Sequence, residues 1–251
     1  MNIYIITHKK FKMRCNKHLY KPLLVGADYN KGEDFYLKDN SSDDNISAKN
    51  TNYCELTGMY WIWKNTTDDV IGICHYRRYF SLSSYVFWPL GKFIIERLLQ
   101  KWDVILPRKN EMQYNGLTAE NFFAKKHDPI VWNVCRQVIM EKKPEYVKDF
   151  DWFAQEKSGH CFNMCIMNKC LYDRYCDWLF SILFELERRI DITKYNDYNI
   201  RMFGFVSERL LNVWIHHQGL TVKECSVFFS EQPPVFMRIY KKIARMRRNF
   251  S

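Results

Sequence analysis

Val70-Ile-Gly-Ile-Cys-His-Tyr-Arg-Arg-Tyr-Phe80 decides how the rest of the chain reads. Val70 to Ile73 are mostly apolar and β-branched, broken only by Gly72, and follow the turn-forming pair Asp68-Asp69. That pattern predicts a short buried strand. The strand opens abruptly into His75, Tyr76, Arg77 and Arg78. Two adjacent guanidiniums and an imidazole at a strand exit suit a diphosphate or another polyanion. An ordinary basic strand-to-loop junction with its arginines in water would carry the same residues, and this segment alone does not choose between the two.

Working outward, Asn2-Ile-Tyr-Ile-Ile-Thr7 reads as an opening strand ending in Thr7-His8, and Leu23 to Ala27 as a second short one. A helix is expected from Asn52, its cap, to Trp63, with Glu55 in the first turn, where it favours the helix dipole. Gly58 weakens that helix without excluding it. Phe93 to Lys101 reads as a helix, Asp103 to Pro107 as a strand, and Arg108, Lys109 and Glu111 as its exit loop. Further helices are expected over Pro129–Glu141, Leu171–Arg189 and Arg201–His216, with a strand over Asn163–Asn168. This is an α/β rhythm in a chain of 251 residues, enough for one substantial core.

Composition narrows the function. Apolar residues make up 47% and aromatics 17%, which excludes general disorder. Nine cysteines without a regular framework, and an N-terminus lacking a signal-peptide layout, point to a reducing cytoplasmic setting. The gaps in Cys161-x3-Cys165-x4-Cys170 do not match structural zinc, so buried thiols are expected there. The net charge of +10 is partly concentrated in a tail, residues 236–251, where Arg238, Lys241, Lys242, Arg245, Arg247 and Arg248 alternate with apolar residues. Such a tail is either a solvated terminus or a basic amphipathic helix on an anionic membrane surface. Nucleic acid would attract the same charge, but no zinc-finger, RNP or helix-turn-helix signature accompanies it.

Ligands of open α/β sheets bind at the carboxyl ends of strands. Thr7-His8, His75 to Arg78 and Pro107 to Lys109 are therefore the candidate anion-binding exits, with Arg108 in the third. No dinucleotide, P-loop, His-Glu-x-x-His or Gly-x-Ser-x-Gly motif is present. For a group transfer, Asp151, His160 and Glu208 are the candidate bases. Each has a plainer reading: a surface turn residue, a strand-edge histidine, and an ion-pair partner of Arg209 or Arg201. Tyr53, Tyr60, Trp61, Trp63, Tyr76 and Tyr79 are candidates to line a sugar or base pocket. His127-Asp128 either faces the cleft or only starts a helix.

The chain resembles a family of bacterial capsular and lipopolysaccharide glycosyltransferases long catalogued as a domain of unknown function. The resemblance rests on Asn45-Ile-Ser-x-Lys-Asn50, Glu55-Leu-Thr-Gly-x-Tyr-Trp-Ile-Trp-Lys-Asn65 and Gly72-x-Cys-His-Tyr-Arg-Arg-Tyr-Phe80. It continues through Asp103-Val-Ile-Leu-Pro107, Pro144-Glu-Tyr146, Asn163-Met-x-Ile-Met167, Tyr175-Cys-x-Trp-Leu-Phe180 and Phe203-Gly-Phe-x-Ser-Glu-Arg-Leu210. It implies a catalytic domain over residues 1–235, with a single Rossmann-type core of the GT-A kind: a central mixed sheet flanked by helices. It also implies a hexosyl transfer from a nucleotide-diphosphate sugar, UDP-galactose being the donor guess, to a lipid-linked polysaccharide at the inner membrane face. Such enzymes commonly carry an Asp-x-Asp metal motif after a central strand. Here His75-Tyr-Arg-Arg78 stands in that place, so side-chain neutralisation of the diphosphate without an obligatory metal is expected. Thr7, His8, Glu55, His75, Arg77, Arg78 and Arg108 are then the donor-binding candidates. The rival readings are a non-catalytic basic module that binds nucleic acid or an anionic membrane, and a nucleotide-sugar hydrolase or phosphotransferase.

Overall fold

The computed structural model describes residues 1–85, 88–110, 116–196 and 198–231. The basic tail and Glu111 lie outside the described residues. Three parallel strands form one arm of the sheet: β1 (Asn2–Thr7), β2 (Tyr20–Leu24) and the two-residue β3 (Leu37–Lys38). β4 (Val70–His75) lies parallel to β1 on the side away from β2, pairing Asn2 with Ile71 and Ile6 with His75. The chain therefore leaves β1 in one direction along the sheet and returns on the other side of it.

Beyond β4 the sheet closes on itself. β5 (Arg78–Ser81) turns back from β4 at the His75–Arg78 pair, and pairs in turn with β8 (Val222–Phe229). β6 (Val104–Pro107) lies parallel to β8 and antiparallel to β7 (Cys165–Asn168), and β7 returns to pair with β4. The result is a five-stranded ring, β4-β5-β8-β6-β7, carrying the parallel arm on β4. The expectation of a mixed α/β chain with a central sheet and helices agrees with this. The plain Rossmann core does not, because the antiparallel β5 and β7 flank β4 and close the ring.

Alternation along the strands feeds two cores. Tyr4 and Ile6 of β1, with Ile71 and Ile73 of β4, face a layer of helices. That layer contains α2 (Leu56–Asn65), α5 (Pro129–Lys142), α7 (Lys169–Arg189) and α8 (Met202–His217). Ile3, Ile5, Cys74, Ile105 and Ile166 face the other way, against α3 (Lys92–Leu99) through Ile95. Gly72 is set where the strands meet: a Cβ there would collide with Ile3 Cδ1 and press on Ile166 Cγ1 at 3.2 Å. Gly58 likewise lets α2 sit on the sheet, since a Cβ would stand 2.8 Å from both Ile6 Cδ1 and Val25 Cγ1. The expected helix over Asn52–Trp63 is in fact two, α1 (Asn50–Tyr53) and α2, broken at Cys54, whose φ is 51°. The polar stretch after β3 is anchored by Asp39. It accepts hydrogen bonds from Gly26 N (2.9 Å), Ala27 N (3.0 Å), Ser47 Oγ (2.6 Å) and Thr57 Oγ1 (2.6 Å).

Two helices are absent from the sequence reading, α4 (Ala119–Lys126) and α6 (Val147–Gln155). All nine cysteines are free thiols, and Cys161 and Cys165 are buried while Cys170 is exposed. Among the described residues no helix is long and apolar enough to cross a membrane.

Candidate active site at the sheet's switch point

Adjacent strands whose connections run in opposite directions leave a crevice at their carboxyl ends, where α/β proteins take their ligands. β1 and β4 are such a pair, and a cleft of about 860 Å³ opens there. At its floor Thr7 is buried, its hydroxyl donating to Lys9 O (2.6 Å). Tyr76 N donates to Ile6 O (3.1 Å), fastening the β4–β5 turn against β1. The Tyr76 ring gathers a cluster of bases: Lys9 Nζ lies 5.1 Å and Arg77 5.6 Å from its centroid, and the His8 ring meets it edge-on at 5.5 Å. Burial, with Lys9 and Arg77 close by, pushes the His8 pKa down.

The opposite wall turns on two residues in the left-handed backbone region, Phe162 (φ 79°) and Asn163 (φ 49°). Such conformations cost free energy in residues other than glycine and persist where the surroundings hold them. Here the holding groups are those of the site. Phe162 O meets His75 Nε2 at 2.6 Å, Phe162 N donates to Glu208 Oε1 (3.0 Å), and Asn163 Nδ2 donates to Glu55 Oε1 (2.7 Å) and Gly204 O (3.1 Å). The Arg78 guanidinium lies 4.5 Å above the Phe162 ring. Because a carbonyl only accepts, His75 Nε2 carries a proton. Burial, reinforced by Arg78, lowers the His75 pKa to about 4, so near neutral pH its ring is an uncharged tether. His75 thus lines the cleft as a tether for Phe162, and the positive charge at this strand exit is that of Arg77 and Arg78.

The remaining charges are unevenly matched. Arg77, Arg78, Arg201, Arg209 and Lys126 line the cleft against two carboxylates, Glu55 and Glu208, so it favours an anion. Glu208 is bound to Arg209 (2.9 Å), whose side chain is 5% exposed. Among the described residues, neither Arg78 nor Arg201 has an ion-pair partner, and Arg78 Nε is occluded without a hydrogen bond. Burial raises the pKa of both acids; Asn163 and Arg209 respectively oppose it, and Glu55 adds repulsion at Glu208. The same desolvation, with Arg77 beside it, lowers that of Arg78. Two acids pushed toward protonation beside Arg78, itself desolvated, are a pattern found at catalytic sites. Arg201 Nε reaches Cys54 Sγ at 3.2 Å, tying α8's entry to the α1–α2 break.

Seven of the ten donor-binding and base candidates line this cleft, Thr7, His8, Glu55, His75, Arg77, Arg78 and Glu208, and so does His127 of the His127-Asp128 pair. Three stand outside it. Asp151 lies on α6 in a two-pronged ion pair with Arg136 (2.7 and 2.6 Å) and is nearly half exposed, so it is no base for the cleft. His160 is buried elsewhere, its Nδ1 2.6 Å from Pro107 O and its backbone N donating to Asn212 Oδ1 (2.8 Å). Its role is to tie β6 to α8. Arg108 follows β6, its backbone N donating to Cys225 O (3.1 Å), so the third exit does not join the other two. Of the aromatic candidates only Tyr76 lines the cleft. Tyr53, Trp61 and Tyr79 are core residues, Tyr60 hydrogen-bonds Asp44, and Trp63 stacks on Phe180. The sequence reading missed Tyr29, Asn30 and Asn50 on the β1–β2 side, and Lys126, Tyr198 and Phe205 on the other.

Residues 2–219 match the family model described as Domain of unknown function (DUF4422). The chain belongs to this family. It also resembles the solved structure entitled "WbbM bifunctional glycosytransferase apo structure", with a TM-score of 0.82 and 30% sequence identity. That match covers 92% of this chain and 45% of the other, so the chain spans less than half of the protein it resembles. No curated protein matches the sequence.

Proposed function

We propose that this family member is a nucleotide-sugar-dependent glycosyltransferase built on a GT-A-like core. The observation that carries the reading is the switch-point cleft itself, in which Arg78 and Arg201, without ion-pair partners among the described residues, stand with Arg77 against two half-buried acids whose pKa values burial raises. Likeness to a chain entitled a bifunctional glycosyltransferase supports it. The donor, taken as a UDP-hexose, lies with its nucleoside toward Thr7, Asn30 and Asn50 and its diphosphate at Arg77 and Arg78. In the reaction the acceptor hydroxyl oxygen bonds to the anomeric carbon, the carbon–oxygen bond to the diphosphate breaks, and UDP leaves with that electron pair. The arginines stabilise the charge that develops on the leaving group.

Both oxygens of Glu208 are engaged, by Phe162 N and by Arg209. Among the described residues, Glu55 has only Oε1 engaged. We therefore assign Glu55 as the acceptor of the hydroxyl proton, and Glu208 as the residue that positions Arg209 and Phe162. The acceptor is a saccharide, in this reading one built on a lipid carrier. Where related enzymes place acids for a metal ion, this chain has His75-Tyr-Arg-Arg78, so the arginines serve in place of an obligatory divalent ion.

Calorimetric titration with UDP, alongside transfer assays with UDP-hexoses, tests these roles. Arg78→Ala should weaken UDP about 10- to 100-fold, the loss of one hydrogen bond to a charged group. Glu55→Gln should keep UDP affinity and lower transfer about 100-fold or more. Unchanged UDP affinity in the arginine variant, or full transfer in the glutamine variant, removes that residue from its role. Activity that a chelator abolishes and a divalent ion restores would overturn the metal-independent part.

A further inference from the structure

The wall of the cleft beyond the two acids is aromatic, with His127, Tyr198 and Phe205, and the donor placement proposed above leaves it free. His127 closes α4 and meets Asn199 Oδ1 through Nδ1 at 2.9 Å. The amide oxygen only accepts, so Nδ1 carries the proton and Nε2 presents a lone pair. Nε2 takes no hydrogen bond from the described residues, and it is not among the polar atoms occluded from solvent. Burial lowers the His127 pKa to about 4, so the ring is uncharged near neutral pH. Phe205 stacks on it at 4.3 Å and Tyr198 lies nearly parallel to it at 5.7 Å, the two being 5.1 Å apart. Tyr198 is 50% exposed at the cleft rim.

The next residue fixes the same segment. Asp128 caps α5 by accepting from Ile130 N (2.9 Å), while its other oxygen accepts from Tyr195 OH (2.9 Å). His127 and Asp128 thus bond residues 199 and 195 on either side of Tyr198, whose half-exposed ring packs against Phe205 and His127 at the cleft. An amphipathic ring with a fixed face, beside a neutral acceptor nitrogen, matches the apolar face and hydroxyl edge of a sugar.

The geometry points to an acceptor subsite here: a hexopyranoside lies against Tyr198 and donates one hydroxyl to His127 Nε2. This rests on the glycosyl-transfer reading of the same cleft and names the side from which the second substrate approaches. Tyr198 supplies contact area, His127 reads a hydroxyl, and Asn199 acts as a positioning residue that sets the His127 tautomer.

The test uses the full chain with the methyl pyranosides of galactose, glucose and mannose as probes, read by saturation-transfer-difference NMR. UDP binding is measured on the same samples by calorimetry. Tyr198→Ala should weaken the glycoside that binds best about tenfold, equivalent to about 1.4 kcal/mol, and leave UDP affinity unchanged. His127→Phe keeps an aromatic ring and removes the acceptor nitrogen, so discrimination among the three sugars should collapse while UDP affinity again holds. Absence of glycoside binding to the parent chain overturns the inference, as does equal binding by parent and both variants. Loss of UDP and glycoside together in both variants overturns it too, because the two rings would then support the donor site and not a separate acceptor subsite. Glycoside binding that depends on Tyr198 in a chain that never binds UDP would instead sink the donor reading and leave the sugar subsite standing.

Discussion

Two arginine–carboxylate pairs in this molecule have the same chemistry and opposite surroundings. Arg136 and Asp151 make two short hydrogen bonds with both side chains more than 40% exposed. Arg209 and Glu208 make one of 2.9 Å, with exposures of 5% and 15%. The better-formed pair costs little to remove, since water solvates either partner left alone. The poorer one holds a buried guanidinium that nothing else among the described residues neutralises. Desolvation, more than hydrogen-bond geometry, marks where charge has consequences in this chain, and it separates the cleft acid from the surface acid that the sequence ranked beside it.

Three measurements press on that contrast. The largest effect is expected for Glu208→Ala, which strands Arg209: chemical denaturation should show a loss of about 3–5 kcal/mol. A loss below about 1 kcal/mol would mean that water already reaches Arg209, and the contrast would fail.

The pH dependence is intermediate and has two opposing signs. Folded His75 titrates at about 4 against 6.5 when unfolded, so the unfolded chain takes up a proton first. Stability from this group is present above pH 6.5 and is lost as pH falls toward 4. His75→Gln keeps a donor for Phe162 O and should flatten that acid limb. Glu55 runs the other way. Its folded pKa is raised above 4.5, so its contribution is present below 4.5 and is lost as pH rises through the folded value. Urea unfolding from pH 4.5 to 8 should show Glu55→Gln gaining on the parent as pH rises. A constant difference would show that Glu55 is as well solvated as Asp151.

The smallest effect belongs to the surface pair. Asp151→Ala should change stability by no more than about 1 kcal/mol and leave transfer intact. A large loss of transfer would restore Asp151 as a functional residue and reverse the comparison.

Elements with one strong signal were legible in the sequence. β1 and β4 are runs of β-branched residues, and α7 carries Trp178, Leu179, Leu183 and Leu186 at helical spacing. β8 was not legible, because Val222-Lys-Glu-Cys225 mixes charge into a strand that is mostly half-buried, and its partner β5 begins with Arg78. Ring closure is a long-range pairing that no local pattern encodes. α4 did carry a signal, Thr118 capping it by accepting from Asn121 N (3.3 Å), and α6 spaced Phe150, Phe153 and Ala154 along one buried face. In the site, the run of bases after β4 identified Arg77 and Arg78, but not that His75 would be neutral. That depends on burial of the ring and on Arg78 beside it, which outweigh the opposing hydrogen bond to Phe162 O, and burial is a product of packing that the local letters do not announce. Asp151 and Glu208 look equivalent as letters, and only packing tells them apart.

The pairing of Arg78 with Phe229 has a consequence for how the protein is made. β1, β4 and the turn bearing Arg77 leave the ribosome early, yet the edge of β5 that pairs with β8 has no strand partner until β8 emerges. At about 5–20 residues per second, that interval is several seconds or more, during which the edge of β5 is open to other chains. Aggregation during synthesis, rather than loss of the folded state, is then the failure expected of variants that weaken β8. The family-matched segment ends at residue 219, just before this strand, so a clone cut to that boundary would lack the partner β5 waits for.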